Sequence, residues 1–147
     1  NRQFIQWILK VKSNIDSGTF RGIQLAAAEA YNNSDEWHYK ANVETYKRRR
    51  ELAETIMQTL GCEFDKSQVG MFLWGKIPNR YANAEELTER VLHDARVFIT
   101  PGFIFGSNGE RYIRISLCAK DVKIKEALER IKTVFKNKKT NIRYYGT

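Results

Sequence analysis

The sequence predicts an α/β protein: a small domain with a short mixed sheet and helices packed on one face, preceded by a helical segment and a long connecting helix. Up to Gly61, apolar side chains recur at the three- and four-residue spacing of helices. After Gly61, short runs of β-branched and aromatic residues alternate with two further helical patterns. A composition of 42% hydrophobic and 12% aromatic residues is sufficient for a packed core.

The first part of the chain carries only helical patterns. Apolar spacing predicts one helix over Phe4–Lys12 and a second over Phe20–Tyr31. Between them the stretch SNIDSG, Ser13–Gly18, is expected to break the helix. The polar stretch NNSDEWHYKAN then predicts a turn or a short helical connection. Since no strand pattern occurs here, the chain is expected to divide into residues 1–41 and 42–147.

The second part begins with a long helix, for which Asn42 is the expected N-cap and Gly61 the expected C-terminal cap. A later helix begins after Asn83, and Glu86 stands three residues on, as in a capping box. Asp121 is expected to cap the last helix. Three runs predict strands: Val69–Ile77, Val97–Thr100 and Tyr112–Leu117.

The net charge is +8, and much of it comes from Lys47–Arg50 and from the basic tail Lys132–Arg143. A basic balance suits nucleic acid, a membrane surface or an anionic small molecule, although charge runs on helices commonly face water. A fragment could also have its charge balanced by the rest of a larger protein.

The two cysteines, Cys62 and Cys118, form no disulfide framework or metal-type spacing, and they read as small core residues in a reducing compartment. No apolar run could span a bilayer, and no secretory signal opens the chain. These features predict a cytoplasmic protein.

Arg114 lies inside the last predicted strand. Alternation places Ile113, Ile115 and Leu117 on one face, with Arg114 on the other between Tyr112 and Ser116. A planar guanidinium there could bind a carboxylate through two parallel hydrogen bonds. The alternative is an arginine that simply faces solvent.

Other patterns offer little chemistry. The glycine-rich stretch Pro101–Gly109 matches neither phosphate-binding fingerprint and reads as a wide turn between strands. His38 and His93 have no partners at metal-ligand spacing, so no metal site is predicted. No Ser/His/Asp or Cys/His set can be assembled. From the residues alone, the chain is a small α/β domain that could bind an anion.

Several segments resemble a known family. PGFIFGSNGERYIRIS is similar to the PG…FG…G…(V/L/I)R(L/I) segment of the class I/II, fold type I aminotransferases that use pyridoxal phosphate. Four further segments resemble that family in the same order along the chain: KVKSNIDSGTFRGIQLAAAEAY, YKRRRELAETIMQTLGCEF, VGMFLWGKIP and ELTERVLHDARVFITPG. VKSNIDSG looks most like the aspartate, alanine and LL-diaminopimelate aminotransferases.

The resemblance implies a function and a site. The family transfers an amino group between an amino acid and a 2-oxo acid, with pyridoxal 5'-phosphate as cofactor and as a homodimer. By match to its motif, Arg114 grips the α-carboxylate of the substrate. Arg111 falls on the turn side, and its replacement is expected to change activity little. Asn14 matches a loop that reaches the partner's cofactor or substrate pocket, although Asn14 and Asp16 could simply cap helices.

The same resemblance implies what the chain lacks. No lysine stands in the context of the family's Schiff-base lysine, and Lys66 lies on a different segment. The chain therefore looks like a C-terminal portion: residues 1–41 as a helical tail of the large cofactor domain, and 42–147 as the small domain. Such a fragment is expected to be inactive alone. The alternatives are a basic nucleic-acid-binding module and a regulatory α/β module.

Overall fold

The computed structural model describes residues 1–136 and comprises two compact units, the second of which begins at Asn42. Each unit is built from different elements, since only the second contains strands within the described residues. The α/β class predicted from the sequence is confirmed. Of the helices in residues 1–136, none combines the length and the apolarity that a bilayer span requires.

The first unit contains three helices: α1 (Arg2–Ile15), α2 (Arg21–Asn32) and α3 (Ser34–His38). The predicted break within Ser13–Gly18 is confirmed, since α1 ends at Ile15, three residues beyond the predicted helix end at Lys12. Ser13 Oγ and Asn14 Nδ2 donate to the carbonyl oxygen of Lys10 at 3.1 and 2.6 Å. These bonds run back to the previous turn, so both residues are accommodated at the helix end.

A π-helical segment, Tyr39–Lys47, precedes α4 (Arg48–Leu60). Asn42 lies inside this segment, so its predicted role as an N-cap is wrong: the chain is already helical before it. The predicted end of the helix is confirmed. Gly61 has a φ of 78°, a left-handed conformation that glycine adopts without a steric penalty.

The second unit contains a three-stranded sheet of β1 (Phe72–Lys76), β2 (Thr100–Pro101) and β3 (Tyr112–Ser116), in the order β1-β3-β2. Both pairings are antiparallel, so the expectation of a mixed sheet is corrected. The central strand β3 separates β1 from β2, which therefore never pair side by side. β2 is shorter than predicted and ends at Pro101, which has no N–H to donate.

Two further α-helices of this unit lie within the described residues: α5 (Ala84–Ala95) and α6 (Asp121–Lys136). Asn83 caps α5 as predicted, since its side chain accepts a hydrogen bond from the Glu86 N–H at 2.9 Å. The predicted cap at Asp121 is wrong. Asp121 is the first residue of α6, and its carboxylate binds Arg48 and Arg49 instead.

The core lies between one face of the sheet and helices α4, α5 and α6. Ile113 in β3 and Leu73 in β1 are fully buried in its centre. The helices contribute buried side chains that include Met57, Leu60, Leu87, Val91, Leu128 and Ile131. The opposite face of the sheet carries Arg114 together with the aromatic side chains of Phe72 and Trp74.

Candidate functional site

Arg114 occupies the centre of the sheet face that the helices leave open. Its neighbours along β3 confirm the alternation: Ile113 is 0% exposed and points to the core, whereas Arg114 is half-buried on the other face. Across the strands, Arg114 pairs with Trp74 of β1 and Thr100 of β2. The central strand therefore fixes the position of its backbone on both sides.

Three rings surround the guanidinium of Arg114, and we call them the aromatic cage: Phe72, Trp74 and Phe105. Cζ of Arg114 lies 4.0 Å from the centroid of Phe105, 4.2 Å from Phe72 and 6.0 Å from Trp74. The two closest rings stand at the distance at which a cation is attracted by the negative face of an aromatic ring. The cage thus stabilises the charge of Arg114 without consuming any of its N–H donors.

The donors of Arg114 are the chemically important feature. Nε is buried and has no hydrogen-bond partner within the described residues. A buried N–H without an acceptor destabilises the fold by about 1–3 kcal/mol, so such a donor is expected to have a use. A planar anion that approaches the edge of the guanidinium could accept two parallel hydrogen bonds.

Two cavities lie near Arg114, one lined by Arg114 itself and one by two rings of the cage. Arg114, Thr100, Ser116 and Lys123 line one of about 270 Å³, whose remaining wall is mostly aliphatic. Trp74, Phe105 and Tyr112 line another of about 400 Å³. The second lies within the usual size range of ligand pockets, and the smaller first one offers cationic and hydroxyl groups in an apolar wall.

The stretch predicted as a wide turn folds into two short 3₁₀ helices, Gly102–Phe105 and Ser107–Gly109. Its ends touch: a Cβ on Gly102 would lie 2.4 Å from the Gly109 carbonyl oxygen, and one on Gly109 would lie 2.0 Å from that of Gly102. Only glycine permits this approach. Between them Gly106 has a φ of 125°, which also favours glycine. This loop delivers Phe105 to Arg114.

Arg111 has a different surrounding. Its Nη1 donates to the carbonyl of Ala82 at 2.8 Å, and its Nη2 donates to the carbonyl of Pro78 at 3.3 Å and to Asn79 Oδ1 at 3.4 Å. Arg111 therefore holds the connection between β1 and α5 in place. Its replacement is therefore expected to destabilise the fold, because several acceptors would lose their donor. The expectation that its replacement changes activity little stays a prediction.

The basic cluster Lys47–Arg50 is largely engaged inside the second unit. Arg49 Nε lies 2.8 Å from Asp121 Oδ1, and Arg48 binds the other oxygen of the same carboxylate. Hydrogen bonds from Arg49 and then from Arg48 hold the pKa of Asp121 below its usual range. Arg50 Nη2 donates to the Gly70 carbonyl at 3.1 Å. Most of the other basic run, Lys132–Arg143, lies outside the described residues.

Asn14 lies in the last turn of α1, where its side chain is exposed and bonds to Lys10. Asp16 ends that helix, and its carboxylate pairs with Lys12 at 2.8 Å. His93 Nε2 lies 3.1 Å from Glu89 Oε2. Within residues 1–136 no group of three or more His, Cys, Asp or Glu side chains is placed to hold a metal ion.

The aromatic cage could not be found from spacing alone. Phe72 and Trp74 alternate with the buried Leu73 and Gly75, which is a visible signal that they share one face. Their meeting with Arg114 depends on the pairing of β1 with β3, which joins residues far apart in the chain. Phe105 depends on the path of the loop.

The chain is similar to known proteins both in sequence and in structure. Residues 1–131 match the sequence profile described as aminotransferase class I and II. An LL-diaminopimelate aminotransferase from Halothermothrix orenii is 37% identical over 128 residues, which cover 87% of this chain and 32% of that protein. The chain thus spans about a third of the length of the curated relatives it matches.

Solved structures give the same result. The apo structure of BacF from Bacillus subtilis matches with a TM-score of 0.64 and 31% identity, covering 92% of this chain and 34% of that one. MJ0684 from Methanococcus jannaschii matches with a TM-score of 0.69 and 30% identity, over 89% of this chain and 35% of that one. MJ0684 is described as similar in its active site to kynurenine aminotransferases.

Proposed function

Since the chain belongs to the class I and II aminotransferase family, we propose that it is the part of a transaminase that binds the substrate carboxylate. The whole enzyme would transfer an amino group between an amino acid and a 2-oxo acid. Residues 42–147 would form its small domain, and residues 1–41 a helical part of its large domain. Arg114 would grip the α-carboxylate.

One observation carries this proposal: the guanidinium of Arg114 is surrounded by aromatic rings, yet its buried Nε lacks a partner in the described residues. A carboxylate satisfies that donor and a neighbouring N–H together, in the plane of the guanidinium. A lysine could supply the positive charge at this place, but not the two parallel N–H donors of a planar guanidinium. The site therefore suits a carboxylate better than a monodentate anion.

Holding the carboxylate at two points would restrict rotation of the amino acid. The bond from Cα to its hydrogen would then keep one direction relative to the reacting groups, and such orientation is worth several powers of ten in rate. The rings against the guanidinium, together with the burial of Nε, would limit water there and strengthen the ion pair. When bound, pyridoxal phosphate supplies the electron sink of the family's reaction.

The lysine beside Arg114 does not fit the role of a cofactor-binding lysine. Lys123 lines the same cavity, but its side chain is 74% exposed and its Nζ lies 3.2 Å from Glu126 Oε2. A lysine that forms a covalent bond with pyridoxal phosphate is instead expected to be desolvated. We therefore assign no step of the cofactor chemistry to these residues, and propose for them the substrate side of the site.

Three further properties belong to the proposal. The enzyme would act as a homodimer, as the family resemblance implies, and would be cytoplasmic, as the composition of the chain suggests. Asn14 would contribute to the pocket of the partner subunit. The nucleic-acid alternative is less favoured, since Arg48, Arg49 and Arg50 already bind groups inside the fold.

An assay of the full-length protein that contains these residues tests the proposal. The protein, loaded with pyridoxal phosphate, is given a panel of amino acids with a 2-oxo acid acceptor, and the new 2-oxo acid is quantified. We expect turnover with at least one pair. Absence of transamination across the panel, together with salt-dependent binding of duplex DNA, would favour the nucleic-acid alternative instead.

A further inference from the structure

We infer that Phe105 is a positioning residue, which the loop Gly102–Gly109 delivers to Arg114 so that the guanidinium presents its edge to a carboxylate. This inference rests on the proposed function, because it assumes that Arg114 binds the substrate. It assigns a role to the glycine-rich stretch, for which the phosphate-binding patterns give none.

The contact between Phe105 and Arg114 is the closest ring contact of the cage. Cζ of Arg114 lies 4.0 Å from the centroid of the Phe105 ring. Trp74 supports that ring from the side, at a centroid distance of 5.4 Å and an interplanar angle of 70°. An arginine has many rotamers, and a ring against its face removes most of them before any ligand arrives.

The backbone of the loop explains how Phe105 reaches this place. The close approach of Gly102 and Gly109 shuts the loop, so the 3₁₀ helix that ends at Phe105 has a fixed path. Gly106 follows directly, and its φ of 125° turns the chain away from the cage. No heavy atom lies within 4 Å of the Cβ that Gly106 lacks, so an alanine there would strain the backbone without a clash.

The geometry also favours edge-on binding. Rings close to the guanidinium obstruct an approach to its face, whereas its N–H groups lie in the plane and stay available. The buried Nε has no hydrogen-bond partner in the described residues. The rings of the cage therefore leave this N–H available for a ligand. Phe105 thus determines where a carboxylate can bind, although Phe105 itself does not contact the carboxylate.

The test compares substitutions in the full-length enzyme, loaded with cofactor. Phe105→Leu removes the aromatic ring, whereas Phe105→Tyr keeps an aromatic ring at the same position. Phe103→Leu is the matched control: it lies on the same 3₁₀ helix, is 40% exposed against 48% for Phe105, and lines a different cavity with Asn83 and Glu85. Gly106→Ala perturbs the loop through its backbone, and Gly70→Ala, at a φ of 91° and also in open space, is its control.

Three readouts separate positioning from simple destabilisation: kcat/KM for an amino acid, kcat/KM for an amine that lacks the carboxylate, and the dissociation constant for butyrate against butyramide by calorimetry. We expect Phe105→Leu to weaken butyrate binding and amino-acid turnover on the order of tenfold, with the amine and butyramide unchanged. Phe105→Tyr should behave as the wild type. Gly106→Ala should resemble Phe105→Leu, and both controls should show no selective effect.

The outcomes also separate this inference from the proposed function. If Arg114→Ala weakens butyrate binding but Phe105→Leu matches Phe103→Leu, Phe105 has no positioning role and the carboxylate site stands. If Phe105→Leu slows the amine as much as the amino acid, its role is structural and the inference is overturned. If Arg114→Ala leaves butyrate binding and amino-acid turnover unchanged, the proposed function itself is wrong.

Discussion

Arg49 and Asp121 join two helices of the second unit through an ion pair between residues 72 positions apart: Arg49 Nε lies 2.8 Å from Asp121 Oδ1. The same arginine donates to the carbonyl of Leu117 at 3.1 Å, so it also holds the end of β3. Since β3 carries Arg114, this pair fixes the strand on which the candidate site depends.

The first prediction concerns the stability of this pair. Asp121→Asn should lower the melting temperature at pH 7, since the neutral amide cannot pair with two arginines. The pKa of Asp121 is lowered in the folded protein by hydrogen bonds from Arg49 and Arg48. The stabilisation is therefore fully present above the unfolded-state pKa, and it is lost as the pH falls below about 4 and through the folded-state pKa.

Melting temperatures of the wild type and Asp121→Asn, measured from pH 7 down to pH 3, check this prediction. The difference between the two proteins should shrink toward the acid end. Asp94→Asn is the control, because Asp94 is more exposed than Asp121 and pairs at 3.6 Å with one arginine, Arg90, one turn away on the same helix. An equal loss from both substitutions would contradict a special role for Asp121.

The second prediction concerns Arg111. Arg111→Ala should destabilise the protein by about 1–3 kcal/mol, because acceptors at Ala82, Pro78 and Asn79 lose their donor. Urea denaturation of the wild type and the variant measures this. Arg96→Ala, at an exposed arginine, should change the free energy of unfolding by less than about 0.5 kcal/mol. Equal effects of the two substitutions would contradict the account of Arg111.

The sequence predicted the elements whose signals are local. The predicted caps at Gly61 and Asn83 are confirmed, because a cap depends on the few residues around it. Asn42 and Asp121 are also of residue types that favour N-caps, yet neither caps a helix as predicted. The chain is already helical before Asn42, and the partners of Asp121 lie in a helix far away in sequence. Spacing carries no information about such partners.

The candidate site shows the same division. Alternation along β3 placed Arg114 off the core face, because side-chain direction in a strand follows from position alone. The aromatic cage required the register of β1 against β3 and the path of the loop. The sequence predicts Arg111 on the turn side of β3, but its bonds to carbonyls form only when the connection after β1 lies against the start of β3.

The third prediction concerns the two thiols. Burial raises the pKa of Cys62 to about 12, so its thiol stays protonated near neutral pH, and it is also shielded from reagents. Cys118 is exposed. Iodoacetamide at pH 8 should therefore alkylate Cys118 in the folded protein and reach Cys62 only in denaturant.

Mass spectrometry of peptides from native and denatured samples checks this order. Cys118→Ser is the control, and it should show almost no labelling until the protein unfolds. Rapid labelling of Cys62 in the folded protein would contradict its place in the core.

The central claim is that Arg114 binds the carboxylate of an amino-acid substrate. Losing a bidentate pair while its partner charge stays in the site costs about 3–5 kcal/mol. Arg114→Ala should spare the fold, because Ile113 and Leu117 still fill the core face. Arg114→Lys should recover only part of the activity, because an ammonium keeps the charge but not the fork.

The most direct test is kcat/KM of the full-length enzyme for an amino acid and for the matching amine without a carboxylate, in the wild type, Arg114→Ala and the control Arg96→Ala. The account predicts a loss of about two to four powers of ten for the amino acid in Arg114→Ala, with the amine nearly unchanged. Arg96→Ala should match the wild type for both. An equal loss for amine and amino acid in Arg114→Ala, or none for either, would contradict the assignment of Arg114 to the substrate carboxylate.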